Sequence, residues 1–477
     1  MPGSTMSFLG IDLGTSFIKG AVLRPESRRL EHIRRAPFPP PIANDNPLLC
    51  EVDPAPILAA VRGLIGELAS RAPDCEGLVM CSQMHGMVLM NARGEAVSNC
   101  ITWQDQRALM PHPSGRGSYF DVLTRRLDPQ QIRSLGNELD PGRPVCYLFW
   151  FAEQGSLAPG LIPASVPEFV LSALCGSAPG AELTNAAAYS ALNLETLSWH
   201  EAVIERLGLH RLRWPALRRQ GEVVGSLKLN GKVVPCYAPV GDYQCALAGA
   251  LLGAEELSLN ISTGAQISRL VPALTLGDCQ TRPFFDGQFL ITFTGLPAGR
   301  SLNVLVDLLC EAARAEGVES PDPWKWIAKA AADAPDTELE VDLNFFGTPG
   351  AGRGQISNIR ASNFTAGQLF RAAFKHMADC NFQHALRLWP ERAWKSLLFS
   401  GGLASKLEVL CEAIRKRFDS HCRIAPFAED TLFGLLILAS AFSGRAGPVG
   451  ECVQEMRRDS GWLSAAPIRQ EGRPGNS

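Results

Sequence analysis

Two stretches of this sequence, about half a chain apart, share one outline of apolar residues around a short hydroxyl-bearing turn. The first, FLGIDLGTSFIKGAVL, spans residues 8–23, and the second, LSLNISTGAQISRLV, spans 257–271. Apolar runs on both sides of a glycine-containing turn predict a strand–turn–strand hairpin. Related units in each half of a chain suggest duplicated half-molecules. We therefore expect two domains that each contain one such hairpin.

Helix and strand patterns alternate after the first hairpin. Residues 57–71 carry apolar side chains at helical spacing, and residues 77–91 have the pattern of a strand, a polar turn and another strand. Residues 238–254 open with a turn and continue as a helix of small residues. This alternation predicts an α/β protein. Residues 111–144, rich in Pro, Gly and Arg, resist assignment.

The domain boundary is expected near residue 248. This places an N-terminal domain at 1–248, a C-terminal domain at 249–442 and a tail at 443–477. The tail contains many Gly, Pro and Arg residues, and its end is expected to be disordered.

Composition excludes several classes of function. The chain has 477 residues, of which 46% are hydrophobic and 19% charged, as in globular proteins. A net charge of -3 gives no electrostatic reason to bind nucleic acid or an anionic membrane. The apolar stretch TLFGLLILASAFSG is too short to span a bilayer and is typical of a buried helix.

The 14 cysteines are scattered without any Cys-x-x-Cys spacing. This argues against both a metal cluster and a disulfide framework. The N-terminus lacks a basic segment followed by an apolar one, so no secretory signal is predicted. We expect reduced thiols and a cytoplasmic location.

The turn of the first hairpin has the groups that a phosphate site needs. Gly14, Thr15 and Ser16 offer backbone N–H groups and hydroxyls, and Lys19 offers a positive charge. Asp12 is placed to contact Mg²⁺ directly or through water. No P-loop sequence occurs in the chain, and a plain hairpin turn explains the same residues without a ligand.

Two further segments share this character. The second hairpin has Thr263 and Gly264 in its turn, and Gly401 and Gly402 lie between an apolar strand pattern and a helix pattern. Glycines at such a junction leave free N–H groups where a nucleotide can approach closely. An ordinary turn remains the alternative.

Two polar motifs suit a polyhydroxylated ligand. If TWQDQR is extended, Trp103, Asp105 and Arg107 lie on one face, where an indole, a carboxylate and a guanidinium can contact a sugar. His85 in SQMHG follows a strand and precedes Gly86, so it could bond a sugar hydroxyl. A surface Arg–Asp pair and a structural histidine are the plainer interpretations.

Asp242 follows an apolar strand and precedes the helix of small residues. A carboxylate at that position is favoured by the helix dipole, and a capping role explains it without catalysis.

Four motifs together resemble the FGGY carbohydrate kinases. D-x-G-T-x-x-x-K at 12–19, G-D-x-Q at 241–244, S-T-G at 262–264 and S-G-G-x-x-S at 400–405 occur in that family's order. The resemblance covers roughly residues 7–442 and implies two ribonuclease-H-like α/β domains of the actin and hexokinase type, with ATP in an interdomain cleft. Within the family, SQMHGMVL, ITWQDQR, LCG and LNISTGAQI are most similar to the sedoheptulose kinases.

The resemblance also implies residue roles. Asp242 would be the general base and would also contact the sugar, while Asp12 would contact the metal. The other expected sugar-binding residues are Met84, His85, Trp103, Asp105 and Arg107. The expected nucleotide-binding residues are Gly14, Thr15, Ser16, Lys19, Thr263, Gly264, Gly299, Asn303, Gly401, Gly402 and Ser405.

The implied activity is ATP- and Mg²⁺-dependent phosphorylation of a terminal ketose hydroxyl, with sedoheptulose the first candidate. Xylulose, ribulose or another ketose or polyol are alternatives, and a non-catalytic sugar or nucleotide sensor is the alternative of another class. The expected partners are therefore small molecules, and the family suggests a homodimer.

The sequence departs from the family pattern at three places. Tyr243 stands where many relatives carry a smaller polar residue, and Glu168-Phe169 stands where Asp-Tyr is usual. Thr431, Leu432 and Phe433 replace a run of small residues.

Overall fold

The computed structural model describes residues 6–318, 322–346 and 353–459. They form two compact units. The first unit comprises 6–251, 270–290 and 426–459, and the second comprises the described residues of 252–269 and 291–425. The expected disordered end of the tail, 460–477, lies outside the described residues.

The described residues contain both strands and helices throughout, and the expected α/β class is confirmed. The strands are β1 Ser7–Leu13, β2 Phe17–Arg24, β3 Arg29–Pro37, β4 Glu51–Val52, β5 Cys75–Ser82, β6 Met87–Met90, β7 Cys100–Ile101, β8 Ile162–Ser165, β9 Gly180–Glu182, β10 Leu192–Asn193, β11 Ser198–Trp199, β12 Ala216–Arg218, β13 Val223–Leu229, β14 Lys232–Tyr237, β15 Val240–Gly241, β16 Glu256–Ile261, β17 Ala265–Val271, β18 Gln280–Pro283, β19 Phe289–Leu296, β20 Glu340–Asp342, β21 Gln355–Ser357, β22 Ser396–Ser400 and β23 His421–Ile424. The helices are α1 Pro54–Ala69, α2 Tyr119–Arg126, α3 Pro129–Ser134, α4 Pro144–Glu153, α5 Val166–Cys175, α6 Leu183–Ala186, α7 Glu201–Arg206, α8 Asp242–Gly249, α9 Gly299–Ala315, α10 Pro323–Asp333, α11 Ala366–Leu388, α12 Glu408–Phe418, α13 Asp430–Phe442 and α14 Val449–Asp459.

The first hairpin forms as predicted and lies in the main sheet of the first unit. That sheet has the strand order β13–β14–β5–β1–β2–β3, and β15 also pairs with β5. Strand β1 is antiparallel to β2, with Asp12 opposite Lys19, and parallel to β5. Because β5 is also parallel to β15, the carboxyl ends of β1, β5 and β15 meet at one edge of the sheet.

A smaller sheet, β4–β7–β6–β8, continues the first unit. Strand β5 leads into β6 through Gln83, Met84, His85 and Gly86, so this turn connects the two sheets. Helix α1 begins after Asp53, whose side chain accepts a hydrogen bond from Ala55 N. Its apolar face, including Ile57, packs in the same core as β1 and β5.

Helix α13 is apolar on nearly all sides, and it is buried, as its apolar sequence predicted. It shares a core with residues of β1, β5 and α8. None of the helices in the described ranges is long and apolar enough to traverse a bilayer.

The division into units differs from the contiguous scheme expected from the sequence. Residues 270–290 and 426–442 were assigned to a C-terminal domain, but they are compact with the first unit. Burial explains the return of α13, because its apolar side chains complete the core built on β1, β5 and α8.

The second predicted hairpin is also confirmed. In the second unit, β16 pairs antiparallel with β17 around the turn at 262–264, and β16 is parallel to β22. Strand β22 is parallel to β23. The buried Glu256 carboxylate accepts two hydrogen bonds from Arg423, which joins the first and last of these parallel strands.

Helices α8 and α13 contact each other through glycines, which generates a stability prediction. A Cβ on Gly434 would lie 2.0 Å from Cys245 O, so Gly434→Ala must push two backbones apart and should cost about 3 kcal/mol of unfolding free energy. Gly63→Ala, in the exposed face of α1 with nothing within 4 Å, should instead stabilise by about 0.5 kcal/mol. Denaturant unfolding of both variants measures this, and equal effects would contradict the close packing.

Candidate active site

Asp242 is the first residue of α8, at the edge where β1, β5 and β15 end. Its position is fixed through the preceding peptide, because Gly241 N donates to Thr184 Oγ1 at 3.0 Å. The Glu182 carboxylate is buried and accepts hydrogen bonds from the Thr184 backbone and hydroxyl. A buried network of this kind holds the start of α8 in one place.

Asp12, at the end of β1, is buried and lies in the electrostatic field of Asp242. It accepts a hydrogen bond from Thr431 Oγ1 at 2.6 Å, and its carboxylate lies 3.8 Å from Lys19 Nζ. Burial raises the pKa of Asp12, whereas Thr431 and Lys19 oppose that rise. Lys19 also pairs with Glu429 at 2.9 Å.

The Asp242 carboxyl has a strongly raised pKa. Burial, and after it the charge of Asp12, raise the pKa of Asp242 to about 7. The Tyr243 backbone N–H and the Arg282 guanidinium lower it again. Asp430 is similar, since burial raises its pKa to about 6. A carboxyl with a pKa near 7 can accept and release a proton at neutral pH.

The turn of the first hairpin is open to solvent. Gly14 N donates to Phe17 O at 3.1 Å and closes the turn, while Thr15 and Ser16 are exposed. Thr15 Oγ1 accepts from Trp103 Nε1 at 3.2 Å and lies 3.3 Å from Gln83 Oε1. The structure therefore brings Trp103 of the TWQDQR motif to the predicted phosphate turn.

The expectation that TWQDQR is extended is wrong. Residues 103–104 form a turn and Arg107–Leu109 form a 3₁₀ turn, so Trp103, Asp105 and Arg107 do not share a strand face. Trp103 is 41% exposed, whereas Asp105 and Arg107 are buried. The backbone turns here because Cys50 N and Arg107 N both donate to the Asp105 carboxylate.

Asp105 and Arg107 instead form a buried ion pair that holds this loop. Arg107 Nε and Nη2 each donate to Asp105 at 2.8 Å, and Nη2 also donates to Glu51 at 2.5 Å. The Arg107 guanidinium lies 5.2 Å from the ring centroids of Trp150 and Phe151. These contacts, with those from Cys50 N and Arg107 N, give each oxygen of the Asp105 carboxylate two donors, so the carboxylate is already satisfied within the protein.

Met84 and His85 lie in the turn between β5 and β6. Met84 is buried and His85 is half-buried, and Met84 packs beside Gly241, where an added Cβ would lie 3.2 Å from its sulfur. His85 has a φ of 72°, and its Nε2 has no hydrogen-bond partner among the described residues. Burial, with Arg143 and Arg282 nearby, lowers the pKa of His85 well below its usual value. These surroundings therefore favour the neutral imidazole.

The second unit contains an open pocket beside its hairpin turn. Gly299 N and Arg300 N, at the start of α9, donate to Ser262 O and Thr263 O at 3.1 and 2.8 Å. Gly402 N lies 3.4 Å from Ser262 Oγ. The residues that line the pocket are Ser262, Thr263, Gly299, Arg300, Asn303, Trp324, Gly402, Leu403, Lys406 and Leu407.

Four of the predicted nucleotide-binding residues line this pocket, namely Thr263, Gly299, Asn303 and Gly402. Gly264, Gly401 and Ser405 are neighbours in sequence but do not line it. Gly401 has a φ of 90°, and a Cβ there would lie 2.5 Å from Ile261 O, so only glycine fits this turn. Helix α12 begins at Glu408, so the loop after the glycines is longer than the motif indicated.

Several residues of these sites were missed by the sequence analysis. Arg300 and Lys406 lie close to predicted residues and could have been found by extending the motifs. Trp324, on α10, has no motif and reaches the pocket only through folding. Arg282, on β18, also belongs to no motif, and only folding brings its charge near Asp242.

Comparisons with known proteins agree with this architecture. Residues 7–249 match the model of the N-terminal domain of the FGGY family of carbohydrate kinases. The chain is 23% identical over 461 residues to the sedoheptulokinase of Mus musculus, covering 86% of this chain and 92% of that protein.

Solved structures confirm the expected two-domain fold of the actin and hexokinase type. The xylulose kinase from Lactobacillus acidophilus superposes with a TM-score of 0.79 at 18% identity, covering 94% of this chain and 92% of that one. The glycerol kinase from Plasmodium falciparum with ADP gives 0.78 at 14% identity, covering 95% and 92%.

The ion pair of Asp105 and Arg107 leads to a prediction about whether Asp105 stabilises the loop. Asp105→Asn leaves the buried Arg107 charge poorly compensated and should lower the unfolding free energy by about 3 kcal/mol. The control Asp53→Asn keeps a good cap at the start of α1 and should change it by less than about 0.5 kcal/mol. Denaturant unfolding measures both. An Asp105→Asn variant as stable as the wild type would show that this carboxylate does not support the loop.

Proposed function

This chain belongs to the FGGY family of carbohydrate kinases, and we propose that it transfers the γ-phosphoryl group of ATP to the terminal hydroxyl of a ketose. Sedoheptulose is the first candidate, because the mouse sedoheptulokinase is similar over nearly the full length of both chains. The observation that carries the proposal is the half-buried Asp242 carboxyl at the start of α8, whose pKa is raised to about 7, chiefly by desolvation.

Asp242 is proposed to accept the proton of the attacking sugar hydroxyl. General bases work best when their pKa lies near the working pH. Phosphoryl transfer has a loose transition state, so it needs an aligned nucleophile and neutralised charge more than a strong base. A half-buried carboxylate whose backbone is fixed through Gly241 and Thr184 supplies that alignment.

The turn between β5 and β6 is proposed to bind the sugar. The neutral His85 Nε2 lacks a protein partner among the described residues, so it is available to donate to or accept from a hydroxyl. Met84 packs beside Gly241 and so lies next to Asp242. The exposed Trp103 indole offers an apolar face to sugar C–H groups. Asp105 and Arg107 are proposed to support the loop that carries Trp103.

ATP is proposed to occupy the pocket of the second unit. The exposed turn at Thr263 and Gly264 and the start of α9 at Gly299 present backbone to a nucleotide, and a Cβ on Gly299 would lie 2.7 Å from Ser262 O. Trp324 offers an aromatic face for the base. Lys406 offers a positive charge near the phosphates.

In the first unit, Gly14, Thr15, Ser16 and Lys19 are proposed to contact the transferred phosphate. The exposed hydroxyls of Thr15 and Ser16 and the positive charge of Lys19 suit a polyanion.

Mg²⁺ is proposed to be held by Asp12. No group of three or more His, Cys, Asp or Glu side chains in the described ranges is arranged as a metal site. Mg²⁺ in kinases usually takes one or two carboxylates and completes its shell with water and phosphate, so a single buried carboxylate fits. When bound, the ion supplies charge neutralisation for the phosphates.

A second candidate substrate is xylulose, which is favoured by the fold similarity to a xylulose kinase. Ribulose, another ketose or a polyol would use the same phosphate contacts. These candidates differ from sedoheptulose in the length and stereochemistry of the carbon chain.

The test is ADP release from ATP and Mg²⁺ with a panel of five-, six- and seven-carbon ketoses. We expect sedoheptulose to give the highest kcat/KM, and Asp242→Asn to lower kcat by at least about 100-fold because the base is lost. Asp74→Asn, at the opposite end of β1, is the matched control and should keep near wild-type kcat.

The same assay over pH gives an independent check. Only ionised Asp242 accepts a proton, so kcat/KM should fall as pH decreases below about 7. A protein that binds sugar or ATP without sugar-dependent ADP release would be a sensor rather than a kinase. Full activity in Asp242→Asn would contradict the proposed role of this residue.

A further inference from the structure

Arg282 lies beside the first turn of the helix that begins with Asp242. It is carried by β18, whose last residue, Pro283, accepts a hydrogen bond from Gln244 Nε2 at 3.2 Å. The Arg282 guanidinium carbon lies 5.7 Å from the centroid of the Tyr243 ring. The strand that carries Arg282 is therefore attached to the residues that immediately follow Asp242.

A buried glutamate holds the Arg282 side chain. Arg282 Nε donates to Glu138 Oε1 at 2.5 Å and Nη2 donates to Oε2 at 3.2 Å, and the two residues are only 5% and 2% exposed. Arg143 Nη2 lies 3.5 Å from the same carboxylate, and Arg143 Nε donates to Glu138 O at 3.0 Å. Ser190 Oγ also donates to Glu138 O. A bidentate pair in such surroundings fixes the guanidinium plane.

The cluster of Arg282, Arg143 and Glu138 has one more positive charge than negative charge. Two arginines share the buried Glu138, and the other carboxylate near Arg143, that of Asp140, is 3.9 Å away and half-exposed, so water screens it. A buried positive charge is costly unless an anion faces it. The pKa values of Arg282 and Asp242 indicate that each favours the charged form of the other, although burial is the largest influence on both.

We propose that Arg282, which Glu138 holds beside Tyr243, is a positioning residue that supplies the positive counter-charge for the Asp242 carboxylate. Burial and the neighbouring Asp12 both oppose a negative charge at Asp242, so the proposed base needs a fixed cation to be ready in its working form. This inference rests on the proposed function, since it assigns Arg282 a role in the same proton transfer.

The experiment compares kcat and sugar KM for Arg282→Met and Arg282→Lys in the full chain. Methionine removes the charge at similar volume, and lysine keeps the charge but loses the fork that pairs with Glu138. Because Arg282→Met leaves the buried Glu138 carboxylate with only Arg143, at 3.5 Å, as its charged partner, Arg282→Met/Glu138→Met is included to remove both charges of the bidentate pair. Arg24→Met is the matched control, since it removes an arginine from a partly buried ion pair with Asp74. Thermal unfolding shows that each variant is folded.

Arg282→Met and the double variant should both lower kcat by about 10- to 100-fold, with sugar KM changed by less than about 3-fold, because the lost interaction acts on the transition state. Arg282→Lys should recover a large part of kcat, and Arg24→Met should leave it near wild type. A folded double variant with wild-type kcat would overturn the inference, and so would equal losses in the Lys and Met variants.

Wild-type sugar-dependent ADP release tests the proposed function by itself. The ratio of kcat between the Lys and Met variants tests only the role of Arg282, so the two proposals can fail separately.

Discussion

The partial burial of the Asp242 carboxylate beside the buried Asp12 is the constraint on which the site depends. Strands β1, β5 and β15 run parallel and end together, which brings the two acids to one edge of the sheet. Water would stabilise both charges, but burial removes much of it and the like charges repel, so the pKa of Asp242 rises to about 7. The fold holds a carboxylate that is unfavourable for stability, as is common at functional sites.

Two networks from distant parts of the sequence maintain this arrangement. Glu182 and Thr184 fix the peptide before Asp242, and Glu138 fixes Arg282 beside the residues after it. The Thr431 hydroxyl and Lys19 hold Asp12 from the other side. Positive and hydrogen-bonding groups thus offset part of the cost of the buried acids without neutralising the proposed base.

The local parts of this account could be predicted from the sequence, and the non-local parts could not. Both hairpins, helix α1 and the strand-to-helix step at Asp242 follow from apolar spacing and turn residues that are neighbours in the chain. The prediction for TWQDQR was wrong because it assumed an extended strand with side chains on alternate faces. The Asp105 carboxylate instead accepts hydrogen bonds from backbone N–H groups, and the backbone turns there. Arg282, Glu138 and Trp324 have no local signature, since their roles arise only when strands and helices far apart in sequence pack together.

The most direct test of the raised pKa of Asp242 compares thermal unfolding of the wild type and of Asp242→Asn from pH 4.5 to pH 8. An unfolded aspartate has a pKa of about 3.9, whereas that of folded Asp242 is raised to about 7. The folded state therefore binds the proton more tightly, and the wild type loses stability as pH rises between these values, while the neutral Asn variant does not. We predict that Asp242→Asn is the more stable protein at pH 8 and that the difference shrinks toward pH 4.5. A difference that does not change with pH, or a less stable Asn variant at pH 8, would contradict the account.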